Sequence, residues 1–322
     1  MKFGTAEAGA AELATGAIHL IDDPLGPVTS PVMLARGAEP GPRLLVTCLI
    51  HGGENVGPIA LARFLREIDL KALRGSIAGI MCANPLGQRQ HSRLTPQDGM
   101  NLNRIFPGNP KGAVTEQIAA RLMDIARSEG GDAVLDLHSG GELTITAFYV
   151  IHDAKGDGDV EREGARLAAN VGSRYQWGSR EDWLDGGFFT NVSRRLHIPS
   201  IIVESGGGAR VHDEDLANFR TALHGITRAM KMLPGDPPTA SDIRRGGNGV
   251  HVKASRGGYW NPAVAPGDDM TGGQVMGEMI SMTGEVLETI LCPVPSAWVG
   301  SIRRPWMPLY AGDQVVEVVE RL

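Results

Sequence analysis

Between about residue 30 and residue 210, short uncharged apolar runs alternate with segments whose apolar residues recur at helical spacing. The uncharged, β-branched runs predict buried strands, at 43–50, 75–85, 132–138, 143–153 and 199–208. The helical spacing predicts helices, at 56–69, 113–130, 160–172 and 188–198. Strands that alternate with helices predict an α/β fold, with a mostly parallel or mixed sheet flanked by helices on both faces.

The pattern changes near residue 231, where the stretch 231–249 is rich in Pro, Gly, Ser and Asp. Such a composition is typical of a linker. Beyond it, short apolar runs are interrupted by turn residues roughly every 8–12 positions, as in small all-β modules. We therefore predict two domains: a larger one at 1–235 and a small C-terminal β barrel or sandwich at 240–322.

Composition and charge narrow the class of protein. Hydrophobic residues make up 42% and charged residues 21% of the 322 residues, which favours a packed core over disorder. A net charge of -6 argues against a nucleic-acid partner, which requires a basic face. No run approaches the ~20 apolar residues of a membrane span. The N-terminal residues have no long apolar core behind a basic start, so we expect no secretory signal. No CxxC pair occurs, so we expect no disulfide scaffold. We expect a cytoplasmic protein without a membrane partner, and a homo-oligomer remains open.

Polar side chains stand where three of the predicted strands end. His51 and Glu54 follow strand 43–50, His138 closes strand 132–138, and Glu204 ends the apolar part of strand 199–208. In open α/β sheets, ligands bind beyond the carboxyl ends of the strands. Two histidines and one carboxylate are a common catalytic zinc set, and a further carboxylate can act as general base.

The order of four motifs resembles a known family. "HGGE" at 51–54, "NPLGQRQHSRLTPQDGMNLNRIFPG" at 84–108, "DLHSGG" at 136–141 and "VESGGG" at 203–208 resemble the succinylglutamate desuccinylase and aspartoacylase group, relatives of the zinc carboxypeptidases. The resemblance covers roughly residues 30–235, and the C-terminal β module looks like the family's appended barrel.

The resemblance implies a role for each matching position. One zinc ion per chain would be held by His51, Glu54 and His138, with Glu204 as the base. Asn103 and Arg104 would bind a substrate carboxylate. Arg93 would polarise the scissile carbonyl or bind a carboxylate, although Arg89 is a nearby competitor for that role.

Other positions leave alternatives open. Many relatives read HGDE, whereas this chain has Gly52-Gly53, a departure that leaves the three implied ligands in place. Tyr259 is a candidate for the aromatic hydroxyl that some relatives supply from the C-terminal part. Asp136 shares a strand face with His138, so it could orient that ligand or pair with an arginine. Arg194 and Arg195 could reach substrate or lie on a solvated helix face.

The function implied is a zinc-dependent amidohydrolase that cleaves the amide bond of a small N-acyl amino acid, such as an N-succinyl or N-acetyl derivative. A metallocarboxypeptidase acting on peptide C-termini is the alternative within the same chemistry. A non-catalytic protein that binds metal is the alternative from another class, although Glu204 would then have no purpose. We also expect the β module to lean over the site and restrict its access.

Overall fold

The computed structural model describes all residues, 1–322. The strands, numbered in chain order, are β1 Lys2–Phe3, β2 Ala6–Glu7, β3 Glu12–Asp23, β4 Gly26–Arg36, β5 Glu39–Cys48, β6 Arg74–Ile80, β7 Ala133–His138, β8 Thr144–Asp153, β9 Tyr175–Ser179, β10 Ser200–Gly207, β11 Arg244–Lys253, β12 Gly258–Pro262, β13 Asp269–Thr271, β14 Val275–Ile280, β15 Val286–Leu291, β16 Ser296–Arg303, β17 Pro308–Leu309 and β18 Gln314–Arg321. The helices are α1 Val56–Glu67, α2 Pro85–Arg89, α3 Val114–Glu129, α4 Asp159–Ala168, α5 Phe188–Leu196 and α6 Asp213–Ala229.

Twelve strands form one large mixed sheet, in the order β13-β16-β18-β11-β9-β8-β10-β7-β5-β6-β4-β3. Its centre is parallel, because β6, β5, β7 and β10 all run the same way. The strand β8 then runs antiparallel to β10. The predicted mixed α/β sheet is therefore confirmed.

Helices cover both faces of this sheet, and the alternation of side chains along the strands explains why. On β5, Leu44 and Val46 belong to a core that includes α1, α4 and α6. Leu45, between them, points to the opposite core, which includes α3 and α5. Successive side chains of a strand point to opposite faces, so an uninterrupted apolar run is what a doubly covered strand requires.

None of the helices is long and apolar enough to cross a membrane.

A ring of five strands joins the C-terminal segment to the rest of the chain. Residues 149–153 of β8 pair with β9, whereas residues 144–146 pair with β16. The circuit closes because β9 pairs with β11, β11 with β18, and β18 with β16. We call this circuit the five-strand ring. The predicted C-terminal all-β region is present, with a second sheet in the order β15-β14-β12-β17.

Four features of the fold differ from the sequence expectation. The long hairpin of β3 and β4 precedes the predicted sheet, and its turn falls at Asp23-Pro24-Leu25-Gly26. The helix α6 and the strand β9 were also not predicted. The predicted linker 231–249 is too long, because β11 begins at Arg244 and pairs with β9 from its first residue. The boundary between 235 and 240 stays a prediction.

Candidate metal centre and substrate pocket

A cavity of about 550 Å³ opens beyond the carboxyl ends of β5, β7 and β10. Its lining includes the seven residues to which the family resemblance assigns a role in metal binding, catalysis or substrate binding: His51, Glu54, Arg93, Asn103, Arg104, His138 and Glu204. These residues are scattered over some 150 positions of sequence. They lie close together because the parallel strands that they follow end at the same edge of the sheet.

A local backbone turn presents His51 and Glu54 to the cavity. The strand β5 ends at Cys48, and the next residue, Leu49, has a φ of 56° although it is not a glycine. Left-handed backbone at a branched, buried side chain is uncommon and persists only where the surroundings impose it. The chain therefore leaves the sheet abruptly, and both His51 and Glu54 become buried, each 2% exposed.

His51, Glu54 and His138 each place a ligand atom within 4.8 Å of the other two. The Nδ1 atom of His138 lies 3.0 Å from Oε2 of Glu54. On His51, Nδ1 contacts the carbonyl oxygen of Arg93 at 3.2 Å, and Nε2 has no protein partner. Two imidazole nitrogens and a carboxylate oxygen suit zinc, and three protein ligands would leave a fourth position for water.

Asp136 orients His138. Its Oδ2 lies 2.9 Å from Nε2 of His138, and its Oδ1 accepts a hydrogen bond from the Thr47 hydroxyl at 2.5 Å. Asp136 is fully buried and pairs with no arginine, so the structure agrees with the first of the two roles considered for it. A carboxylate behind a ligating imidazole fixes the ring and its tautomer, which leaves Nδ1 of His138 to face Glu54.

The electrostatics of this cluster favour a bound cation. Burial lowers the pKa of His138, but the carboxylates of Asp136 and Glu54 outweigh burial and hold that pKa well above its usual value. Burial, with Arg93 and His138 nearby, holds the pKa of His51 well below its usual value, so this ring stays neutral. Neutral imidazole is the form that binds metal. The donor set, with two carboxylates beside His138 and a neutral His51 ring, thus fits a divalent cation.

Glu204 stands beside these groups without a hydrogen bond. It pairs in register with His138 on β7 and with Tyr149 on β8. Its Oε2 atom is buried and has no hydrogen-bond partner. Burial raises the pKa of Glu204 to about 8, with His138 opposing and Glu54 reinforcing the shift. A carboxylate that can hold or release a proton near neutral pH is suited to general acid–base catalysis.

Three further polar side chains, those of Arg93, Asn103 and Arg104, line the cavity. Nη1 of Arg93 lies 3.3 Å from Oε1 of Glu54, whereas Arg89 does not line the cavity. Oδ1 of Asn103 accepts from the backbone N–H of Phe188 at 2.9 Å, and its Nδ2 has no protein partner. The guanidinium of Arg104 lies over the Trp183 ring, 4.9 Å from the centroid. Burial lowers the pKa of Arg104 to about 10, so it stays charged at neutral pH.

Sequence reasoning missed several lining residues. Tyr149 is 3% exposed, and its hydroxyl has no protein partner. Burial and the neighbouring Glu204 raise its pKa well above the usual value, so it remains an O–H donor. The C-terminal strands of the five-strand ring also contribute to the lining, with His251, Ser301, Arg303, Gln314 and Glu317. The β module therefore lies close to the site, as expected. Tyr149 could have been identified only from its position opposite Glu204 in the sheet.

The remaining candidates lie elsewhere. Tyr259, one of the open candidates, is on β12 in the second sheet and does not line the cavity, so it is not placed to supply the aromatic hydroxyl. Arg194 pairs with Asp153 and Asp185, and Arg195 bonds to a side chain of its own helix. Neither arginine lines the cavity.

Comparisons with known proteins identify the family and the fold. The N-alpha-acetyl-L-2,4-diaminobutyric acid deacetylase of Halomonas elongata is 30% identical over 307 residues, covering 92% of this chain and 88% of the relative. The solved structure of the product-bound ectoine utilization protein EutE (DoeB) from Ruegeria pomeroyi has a TM-score of 0.85 at 20% identity, covering 99% of this chain and 100% of the other. A succinylglutamate desuccinylase/aspartoacylase structure from Rhodobacter sphaeroides has a TM-score of 0.83 at 22% identity, covering 96% of both chains.

The two solved structures are less than a quarter identical to this chain, so they establish its fold. Family membership depends on the sequence match, which covers more than half of the chain. Residues 40–230 match the model described as the succinylglutamate desuccinylase/aspartoacylase catalytic domain. This chain belongs to the succinylglutamate desuccinylase/aspartoacylase family.

Proposed function

We propose that this protein is a zinc-dependent amidohydrolase that releases the acyl group from a small N-acyl amino acid. The observation that carries the proposal is the environment of Glu204. Its buried, unpartnered Oε2 atom faces the same cavity as the His51, Glu54 and His138 donor set. A buried carboxylate oxygen without a hydrogen bond is costly, and a base that must exchange a proton with substrate accounts for it.

The metal would be one zinc ion per chain, held by His51, Glu54 and His138. When bound, it supplies a Lewis acid that polarises a carbonyl and lowers the pKa of water. Asp136 keeps His138 in the tautomer that binding requires.

The chain's own side chains account for the remaining steps. Asn103 and Arg104 hold the carboxylate of the amino acid, since a planar guanidinium can bind it through two parallel hydrogen bonds. Glu204 accepts a proton from the attacking water and returns it to the leaving nitrogen as the C–N bond breaks. Arg93 donates hydrogen bonds to the carbonyl oxygen as it becomes negative. The products are a carboxylic acid and a free amino acid.

The name of the Halomonas elongata relative suggests the first substrate to test, an N-acetyl diamino acid. A carboxypeptidase acting on peptide C-termini needs an open cleft. Here residues of β11, β16 and β18 wall one side of the cavity, which favours small substrates. A binding protein without catalysis would gain nothing from a Glu204 whose Oε2 atom is buried and has no hydrogen-bond partner.

The test is a panel of N-acetyl and N-succinyl amino acids with the metal-loaded protein, and with the variant Glu204→Gln. We expect the variant to retain its zinc, measured by elemental analysis. Its kcat should fall roughly 10²- to 10⁴-fold. Glu214→Gln, an exposed change of the same type on α6, serves as the control. Full activity in Glu204→Gln, or stoichiometric zinc with no hydrolysis of any amide in the wild type, would refute the proposal.

A further inference from the structure

One buried acid in the cavity wall has no part in the proposed reaction. The strand β18 carries the run Val315-Val316-Glu317-Val318-Val319, in which all four valines are fully buried. Glu317, at its centre, is only 7% exposed and lines the cavity. A buried carboxylate costs several kcal/mol unless it is paired. The packing of the strand therefore gives no reason for an acid at this position.

The protein satisfies Glu317 only in part. Its Oε1 atom lies 2.8 Å from Nε2 of His251. Its Oε2 atom has one contact, from the Ser301 hydroxyl at 3.5 Å, which is at the limit of a hydrogen bond. The side chain thus keeps an acceptor oxygen for a further donor.

The charge of Glu317 acts across the cavity. It contributes to raising the pKa of Tyr149 and of Glu204, and it partly offsets the lowered pKa of Arg104. Arg104 nevertheless forms no ion pair with Glu317. The carboxylate therefore lies within electrostatic reach of both the group that would hold the substrate carboxylate and the proposed base.

A bound N-acyl amino acid spans these two groups. Its carboxylate would lie against Arg104 and its amide beside Glu204. The α-carbon lies between these two groups, and the side chain of the amino acid branches from it. We propose that Glu317 is a specificity-determining residue that binds a positively charged group on this side chain, the terminal ammonium of a short diamino acid. This inference rests on the proposed function and adds the class of amino acid and the residue that selects it.

Two alternative roles for this part of the cavity wall lead to different outcomes. Glu317 could merely hold His251 in place, in which case its loss would affect all substrates alike. The wall could instead select an anionic side chain, which would require a free arginine. Arg303 is the arginine of that wall, and its Nε and Nη1 atoms donate to the Gln314 carbonyl and the Thr144 hydroxyl, which leaves only Nη2 without a protein acceptor. The hydrogen bonds therefore favour the cationic side chain.

Three N-acetyl amino acids of similar size distinguish these roles: 2,4-diaminobutyrate, which is cationic, its neutral isostere norvaline, and aspartate, which is anionic. For the wild type, we expect kcat/KM to be at least about tenfold higher for the diaminobutyrate derivative than for the other two, since a charge-assisted hydrogen bond contributes about one to two decades. Free 2,4-diaminobutyrate should likewise bind more tightly than free norvaline in calorimetry.

The variant Glu317→Gln should lose most of this preference, with the diaminobutyrate-to-norvaline ratio of kcat/KM falling roughly 10- to 100-fold, mainly through KM. Glu320→Gln, the same change on the same strand but outside the cavity, should leave the ratio unchanged. If Glu317→Gln does not fold, Glu317→Asp takes its place with a smaller loss in the same direction.

An unchanged ratio in the folded variant, or a wild type that prefers norvaline or aspartate, would overturn the inference while the proposed deacylase function stands. A wild type that hydrolyses none of the three substrates, nor any N-succinyl amino acid, would instead refute the proposed function itself. If, in addition, free 2,4-diaminobutyrate bound no more tightly than free norvaline in calorimetry, the role proposed for Glu317 would be refuted as well.

Discussion

Replacing Asp136 by Asn tests whether the metal centre depends on the residue behind it. Asp136 accepts two hydrogen bonds, from the Thr47 hydroxyl and from Nε2 of His138, and all three side chains are buried. Asn keeps the volume and can still accept through its carbonyl oxygen, but it lacks the negative charge. In the unloaded protein, the pKa of His138 should fall, because Asp136 is the main group that raises it.

The expected magnitude follows from this contact. Residues that orient a metal-binding histidine typically contribute 10–100-fold to metal affinity, which is about 1.4–2.7 kcal/mol. Zinc affinity would be measured at pH 7.5 by competition with a chelating indicator. Asp124→Asn, an exposed substitution on α3, is the control. If folded Asp136→Asn binds zinc within about twofold of the wild type, the hydrogen bond from His138 does not organise the site, and the role given to Asp136 is wrong.

Three further outcomes are expected. Removing the metal with a chelator should abolish hydrolysis and lower the thermal midpoint of unfolding. Zinc at about 100 times its Kd should restore about 2.7 kcal/mol of stability. A thermal midpoint that does not change with zinc would contradict this. Arg104→Lys should lower kcat/KM about 10–100-fold, mainly through KM, because it loses the two-pronged contact and much of the stacking on Trp183, whereas Arg89→Lys should not. Burial lowers the pKa of His152 below the value of 6.5 for the unfolded chain, so the stability it contributes is complete above pH 6.5 and falls as the pH drops below it. Urea unfolding at pH 7.5 and 5.5 should therefore show a smaller loss in His152→Gln than in the wild type, and equal losses would refute the argument.

The sequence predicted the centre of the fold because the signals there are local. Apolar runs such as 43–50 are long enough to identify a doubly covered strand, and strand ends identify the polar residues that meet at the edge of the sheet. The motif order then assigned roles to His51, Glu54, His138 and Glu204. The structure brings all four to one cavity.

The parts that were missed depend on contacts between distant segments. Glu317 stands in a run of valines that is typical of any β strand, and nothing local indicates that this strand closes a ring with β8. Trp183 lies in a short turn, and its role depends on Arg104, a residue far away in sequence. The hairpin of β3 and β4 was overlooked because its alternation of polar and apolar residues is weak, with Gly and Ala at several positions.

The five-strand ring has a consequence for anyone who shortens this protein. A chain that stops before β11 would leave one side of β9 and the first residues of β8 without their partner strands. Unpaired strand edges invite association with other chains. Removal of the C-terminal segment would thus produce an aggregation-prone protein rather than a minimal enzyme. Variants that keep every strand are the better choice for engineering.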